Sequence, residues 1–399
     1  MTLHDDHPSQ RRATGAPARA RESALGHAFP IGRLLGIEIR VTASWFVIAL
    51  LIAYSLFAEF TLRFPDLSNG AAAALGLGCA AVFFASVVLH ELAHSTAANH
   101  LGMQVSGITL FLLGGVSETT TEAESYRDEF VIAIVGPLTS FAIAASAWLV
   151  EISLGSVLGE PLAFGVGYIG WINLALGGFN LLPGLPLDGG RVLRSIAWRQ
   201  TGDRIRATRI AATGGTAVGT ALIGIGLLAF FGFLNVGGLW FAAIGWFLRR
   251  VANASVREAL VQDLISGGTA GDLVSPAQLA ITSAATVADV IDRFYLHYEQ
   301  ATYPVQHDGR IVGVIVPESI REVAEDQRSL LGVSQIMTPI EDVATVPADA
   351  PIGDVRRLLT GRDALVAVSV NSIVIGVITS HSLARWIQRR LELEPDRKQ

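Results

Sequence analysis

Six apolar runs divide the first 250 residues, at about 41–60, 71–98, 130–150, 163–182, 210–231 and 236–248. About 20 residues at 1.5 Å each span the ~30 Å hydrocarbon layer, so the pattern predicts a polytopic helical membrane protein. The sixth run is the shortest and the weakest of these predictions. Between the second and third runs, Val105 to Val116 holds Ile108, Leu110, Phe111, Leu112 and Leu113 followed by two glycines. That segment reads as a short hairpin dipping into the membrane or as an apolar loop packed on its neighbours.

After Arg250 a polar linker, 252–270, leads into two copies of one pattern with a period near 63 residues. Val274-Ser275-Pro276 recurs as Met337-Thr338-Pro339, Pro304-Val305 as Ala367-Val368, and Gly313-Val314-Ile315 as Gly376-Val377-Ile378. Asp308-Gly309 and Asn371-Ser372 lie between apolar strands as hairpin turns, with short helices at Val287 to Tyr298 and Ile352 to Leu359. Each copy ends in a helix, near Glu318 and near His381.

Composition agrees with a membrane protein carrying a smaller polar part: apolar residues are 51% of 399 and charged residues 16%. Charge sets the expected orientation. Arg191, Arg194, Arg199, Arg204, Arg206 and Arg209 follow the fourth run, and Arg249 and Arg250 close the sixth. Those loops should be cytoplasmic, and an even span count places both termini and the repeats on the same side. Residues 1–28, polar and rich in Arg, Ala and Pro, read as a disordered cytoplasmic arm, whose His4, His7 and His27 nothing nearby organises. The net charge of −6, with arginines at membrane boundaries, argues against nucleic-acid binding. Cys79 is the single cysteine, which excludes an intrachain disulfide and a cysteine-based metal site.

The second run ends in His90-Glu91-Leu92-Ala93-His94. On a helix, residues four apart lie about 40° apart in azimuth and ~6 Å apart along the axis, so both imidazoles can reach one zinc with Glu91 beside it as a base. Ionisable groups in hydrocarbon carry a penalty of several kcal/mol, which makes a functional reading the default. A catalytic zinc usually takes three protein ligands. One candidate is His100, at metzincin-like spacing. Ala97, however, stands where the turn-forming glycine would be, and no methionine turn follows. The other is Asp188, in Asn180-Leu-Leu-Pro183-Gly-Leu-Pro186-Leu-Asp188-Gly189-Gly190-Arg191 at the end of the fourth run. Runs two and four end on the same side of the membrane, so the two clusters can meet at similar depth. Pro183, Pro186 and Gly189-Gly190 break the helix around Asp188, and such backbone belongs around a protein-lined cavity.

His90-Glu91-x-x-His94 together with Asn180-x-x-Pro183 running into Leu187-Asp188-Gly189 resembles the site-2 protease family of intramembrane zinc metalloproteases, in its branch carrying cystathionine-β-synthase (CBS) domains. Gly114-Gly115-Val116 and Gly136-Pro137 match as well, and the resemblance covers roughly residues 30–250. It implies one zinc per chain held by His90, His94 and Asp188, with Glu91 as general base. Asn180, Gly114 and Gly115 would bind substrate. The expected activity is cleavage of the transmembrane segment of a single-span signalling or regulatory protein after an upstream protease has trimmed it, in a bacterial or archaeal cell membrane.

The repeats resemble a tandem CBS pair at about 271–325 and 333–388, a module that often binds adenine nucleotides and associates into dimers. Ser319 and Ser382 stand where an acidic residue would grip the ribose, which argues against nucleotide sensing and leaves homodimerisation or gating. A CBS-regulated metal-ion transporter is the competing reading. It would favour a His-rich loop, whereas this sequence concentrates its chemistry in one compact cluster. A catalytically silent sensor would commonly lack a ligand or the base.

Overall fold

A computed structural model describes residues 28–111, 114–119, 123–275, 279–297, 302–359 and 364–393. The N-terminal arm lies outside the described residues except for Ala28. Two compact units, residues 1–256 and 257–399, divide the chain.

The first unit begins with two strands that the apolar runs did not announce. β1 (Ala28–Leu34) turns through Leu35-Gly36, both at positive φ, into the antiparallel β2 (Ile37–Thr42). β2 pairs in parallel with β3 (Val105–Phe111), which pairs antiparallel with β4 (Gly114–Thr119), giving the order β1-β2-β3-β4. The expected membrane hairpin is therefore half of a four-stranded sheet. Its core-facing positions alternate as strand periodicity requires. Ile37, Ile39 and Val41 join Ile108 and Leu110 against Leu92 of the His-Glu motif. The sheet thus lies on the helical turn that carries the His-Glu motif.

Seven described helices follow, the last of them continuing past residue 256 into the second unit: α1 (Ala43–Arg63), α2 (Asn69–His100), α3 (Tyr126–Leu158), α4 (Glu160–Asn180), α5 (Asp188–Thr201), α6 (Arg204–Phe233) and α7 (Gly237–Gly267). Side-chain caps start several of them. Ser68 accepts from Ala71 N–H, Ser125 from Asp128 N–H, and Asp203 from Ile205 and Arg206 N–H. Gly159, at φ 79°, is the single residue joining α3 to α4, a conformation that a residue with a Cβ seldom adopts.

Five described helices, α1–α4 and α6, are long and apolar enough to cross a membrane. The expected sixth span falls in the first half of α7, where Arg249 and Arg250 follow a short apolar stretch, and α7 is not among the five. The even-count argument for the termini therefore loses its sixth member. The arginine-rich stretch after Asp188, read as a loop, is the helix α5, and residues 252–267, read as a linker, continue α7.

In the second unit both repeats have the order strand, helix, hairpin, helix. The first contains β5 (Ile281–Thr282), α9 (Val287–Val290) running into a π turn, β6 (Tyr303–His307), β7 (Arg310–Ile315) and α10 (Pro317–Arg321). The second contains β9 (Ala344–Pro347), α11 (Ile352–Leu358), β10 (Leu365–Val370), β11 (Ile373–Thr379) and α12 (Ser380–Leu393). Asp308-Gly309 and Asn371-Ser372 are at positive φ, as two-residue hairpin turns demand. The leading segments are exchanged between repeats. Ala270 and Leu273 of the short α8 (Ala270–Leu273) pack among Val346, Ile352 and Val366 of the second repeat, while Val333 packs among Ile281, Tyr303 and Ile315 of the first. Backbone bonds Ala270 N–H to Ala350 O and Val333 N–H to Ala285 O fix both crossings, and β8 (Thr338–Pro339) extends the first sheet alongside β7. Neither repeat has a closed core without the other.

Candidate metal centre

His90 and His94 face inward from α2, with 3% and 6% of their surface exposed, and Asp188 is the first residue of α5. His90 Nε2 and His94 Nε2 lie 3.1 and 3.2 Å from Asp188 Oδ2 and 3.2 Å from each other. The opposite ring nitrogens are held by α3. His94 Nδ1 lies 2.6 Å from the carbonyl oxygen of Ile132, and His90 Nδ1 lies 2.9 Å from Ser140 Oγ. A carbonyl only accepts, so the proton of His94 sits on Nδ1 and its Nε2 turns a lone pair inward. The Ser140 hydroxyl can accept from His90 Nδ1 in the same way, and His90 Nε2, His94 Nε2 and Asp188 Oδ2 converge on one point.

A proton can bridge only one pair of these atoms, whereas a cation can satisfy all three. Tetrahedral zinc, with bonds of about 2.0 Å, places its ligand atoms ~3.3 Å apart, close to the separations found here. The donor set of two neutral imidazoles and a carboxylate suits zinc, and the acceptors behind the imidazoles orient them as metal ligands require. Among the described residues this is the group of His, Cys, Asp and Glu side chains arranged to hold a metal. His100, the rival third ligand, is exposed at the end of α2 and is not part of it.

Glycines let the surrounding backbones close in. A Cβ on Gly136 of α3 would overlap His94 Nε2 and lie 2.8 Å from His90 Nε2, so this residue forms one wall of the centre. Pro137 follows it and denies the carbonyl of Ala133 its helical donor, loosening the turn that the imidazoles approach. A Cβ on Gly115 of β4 would lie 2.6 Å from Glu91 Cγ, which places that strand directly on the Glu91 side chain. Ser95 and Ser117 hydroxyls, 3.0 Å apart, pin β4 to α2. Gly114, at φ 144°, has open space where a Cβ would be, and Asn180 ends α4, partly buried, at the start of the loop leading to Asp188.

That loop, 181–187, is seated on glycines too. Gly184 lies against Gly214-Gly215 of α6, Gly189 against Leu181, and Gly190 against the Gly184-Leu185 peptide, while Leu185 N–H donates to Ala211 O at 3.0 Å. Gly189 and Gly190 were expected to break the helix. They instead belong to the first turn of α5, where their missing side chains admit the loop. Ser140, the Ile132 carbonyl and Gly214-Gly215 carried no sequence signal for these roles. Gly136 did, as half of a Gly-Pro pair, but without a stated function.

In the second unit a cavity of about 340 Å³ is lined by Gly271, Val274, Ser275, Pro304, Gln306 and Ile375, among others. Ser382, which stands where an acidic residue would grip a ribose, is engaged locally. Its Oγ accepts from Thr379 N–H at 2.7 Å and bonds Thr379 O at 2.9 Å.

Known proteins agree with this chemistry. The sequence pattern of Peptidase family M50 matches residues 78–166 and 152–225, and that of the CBS domain matches 333–389. A protein of Mycobacterium tuberculosis, provisionally named zinc metalloprotease Rip3, is 35% identical over 368 residues, covering 90% of this chain and 93% of that protein. A protein of Synechocystis, likewise provisionally named a zinc metalloprotease, is 34% identical over 363 residues, covering 90% and 95%. The solved structure of a site-2 protease from Methanocaldococcus jannaschii is 27% identical, covers 58% of this chain and 95% of that one, and superposes with a TM-score of 0.39.

Proposed function

The chain belongs to Peptidase family M50, the site-2 type of zinc metalloprotease, and from that premise we propose that it is an intramembrane endopeptidase cleaving the transmembrane segment of a single-span membrane protein. One observation carries the reading: ligand atoms of His90, His94 and Asp188 converge beside Glu91, at the ends of helices apolar enough to span a bilayer. In this reading His90, His94 and Asp188 hold the zinc. When bound, the metal supplies a Lewis acid that polarises the scissile carbonyl and brings the pKa of a water toward ~7.

Glu91 takes the proton from the attacking water and passes it to the leaving amine, so a single carboxylate serves as base and then acid. A substrate helix hides its carbonyls in hydrogen bonds and has to unwind before hydrolysis. β4 suits that need, because its far side is a sheet edge and its Gly115 sits on Glu91. An unwound substrate that adds to this edge as a strand gains backbone bonds in place of those it gave up. Gly114 leaves open space for its side chains, Gly115 lets the strand lie against Glu91, and Asn180, at the mouth of the Asp188 loop, offers an amide to its backbone or to the oxyanion.

The arginines of α5 and those after Asp203 support a cytoplasmic location for this end of the bundle, and a cytoplasmic CBS pair requires the apolar first half of α7 to cross as a sixth span. The substrate is a signalling or regulatory protein first trimmed by another protease, and the CBS pair joins two copies into a homodimer. Local engagement of Ser382 speaks against ribose binding there. The test is quantitative membrane proteomics on cells expressing wild type or Glu91→Gln. Truncated single-span proteins should accumulate only with the variant and vanish when wild type returns. Their absence under stress that triggers the first cleavage would overturn the reading.

A further inference from the structure

Glu129 is the one carboxylate among the fully buried polar residues described, with 1% of its surface exposed. It lies in the first turn of α3 and receives Arg194 of α5, whose Nε donates to its Oε1 at 2.6 Å and whose terminal nitrogen contacts the same oxygen. Glu129 Oε2 is buried without a hydrogen-bond partner. A buried ion pair with an unsatisfied oxygen is a poor source of stability, since desolvation offsets most of the attraction. Its place in the fold suggests a different role.

Glu129 precedes Ile132 by one turn, and the Ile132 carbonyl fixes His94. Arg194 follows Asp188 by under two turns on the same helix. A closed circuit results, running from His94 to Ile132, along α3 to Glu129, across to Arg194, back along α5 to Asp188 and from there to His94. Ser195 Oγ, donating to Tyr126 O at 2.7 Å, doubles the crossing. We propose that Glu129 and Arg194 are positioning residues which set the distance between the Asp188 carboxylate and the two imidazoles, and so the affinity for zinc.

The proposal rests on His90, His94 and Asp188 being the zinc ligands. The test uses the purified full chain in detergent, with zinc affinity measured by chelator competition, the cobalt-substituted absorption spectrum, and the split between kcat and KM. Partners behind metal ligands typically contribute 10–100-fold to affinity or activity. Glu129→Gln should weaken zinc binding by about 10-fold or more, alter the cobalt spectrum, and lower kcat with KM unchanged. Glu129→Asp keeps the charge, so the variant should fold, but it retracts the carboxylate by one methylene and should give a smaller shift of the same kind. Wild-type zinc affinity and cobalt spectrum in both variants would overturn the proposal, whatever happens to thermal stability. Asp188→Asn is the control. If it too leaves zinc affinity unchanged, the ligand assignment fails. If it weakens zinc while the Glu129 variants do not, only the positioning role fails.

Discussion

Gly136→Ala adds one methyl group to the wall of the candidate metal centre. Its Cβ would fall 2.8 Å from His90 Nε2 and overlap His94 Nε2. Relaxed contacts between heavy atoms lie near 3.5 Å, so His90 has to retreat by about 0.7 Å and His94 by more. Neither ring can rotate away freely, because Ser140 and the Ile132 carbonyl hold the opposite nitrogens at 2.9 and 2.6 Å. A displacement of ~1 Å at reacting groups can lower the rate by about 10²-fold, and zinc binding should fall with it. Alanine favours a helix over glycine by up to ~1 kcal/mol, so the loss should come without a matching loss of helix stability. The assay is paired: zinc content of the purified chain, and cleavage of a single-span reporter in proteoliposomes. Gly78→Ala on α2, where a Cβ meets nothing within 4 Å, should leave both unchanged. Wild-type zinc content and cleavage in Gly136→Ala would refute the reasoning.

Gly115→Ala should press on Glu91 without touching the proposed ligands, lowering turnover about 10-fold or more at unchanged zinc content; equal loss of zinc would show that β4 supports the metal instead. Gly215→Ala would overlap the carbonyl oxygen of Leu185 and shift the loop carrying Asp188, so zinc affinity should drop although the site of change is remote from every ligand in sequence. In the second unit, bonds from the Thr286 side chain and then from its backbone N–H hold the Asp289 carboxyl below its ordinary range. A depressed folded-state pKa gives a contribution that is present above the ordinary aspartate value and lost as pH falls through the folded one. Thr286→Ala should therefore return the Asp289 titration, followed by carbon-13 NMR, toward the ordinary value and flatten the acid side of the unit's stability profile.

The parts of this protein that local chemistry dictates could be read from its sequence. His90 and His94 share a helical face by spacing alone, apolar runs mark α1–α4 and α6, and Asp308-Gly309 and Asn371-Ser372 turn hairpins because few other pairs accept positive φ twice. Asp188 became legible through depth, since helix-breaking residues at the end of one span had to meet a motif at the end of another. β2 is hidden in the sequence although Ile37, Ile39 and Val41 alternate with Glu38 and Arg40, because this two-residue period is overshadowed by the long run that follows. Other features are relations between distant residues. The bonds of Ser140 and Ile132 to the imidazoles, the Glu129–Arg194 pair and the exchanged leading segments of the two repeats exist only once the chain has folded.

The most direct test of the account is cleavage in a defined system: wild type and Glu91→Gln reconstituted with a single-span substrate, zinc added or chelated, and products mapped by mass spectrometry. The account predicts a cut inside the apolar segment that requires zinc and vanishes in Glu91→Gln, while that variant still binds the metal. Cleavage that persists in Glu91→Gln, or that falls only outside the apolar segment, would contradict it.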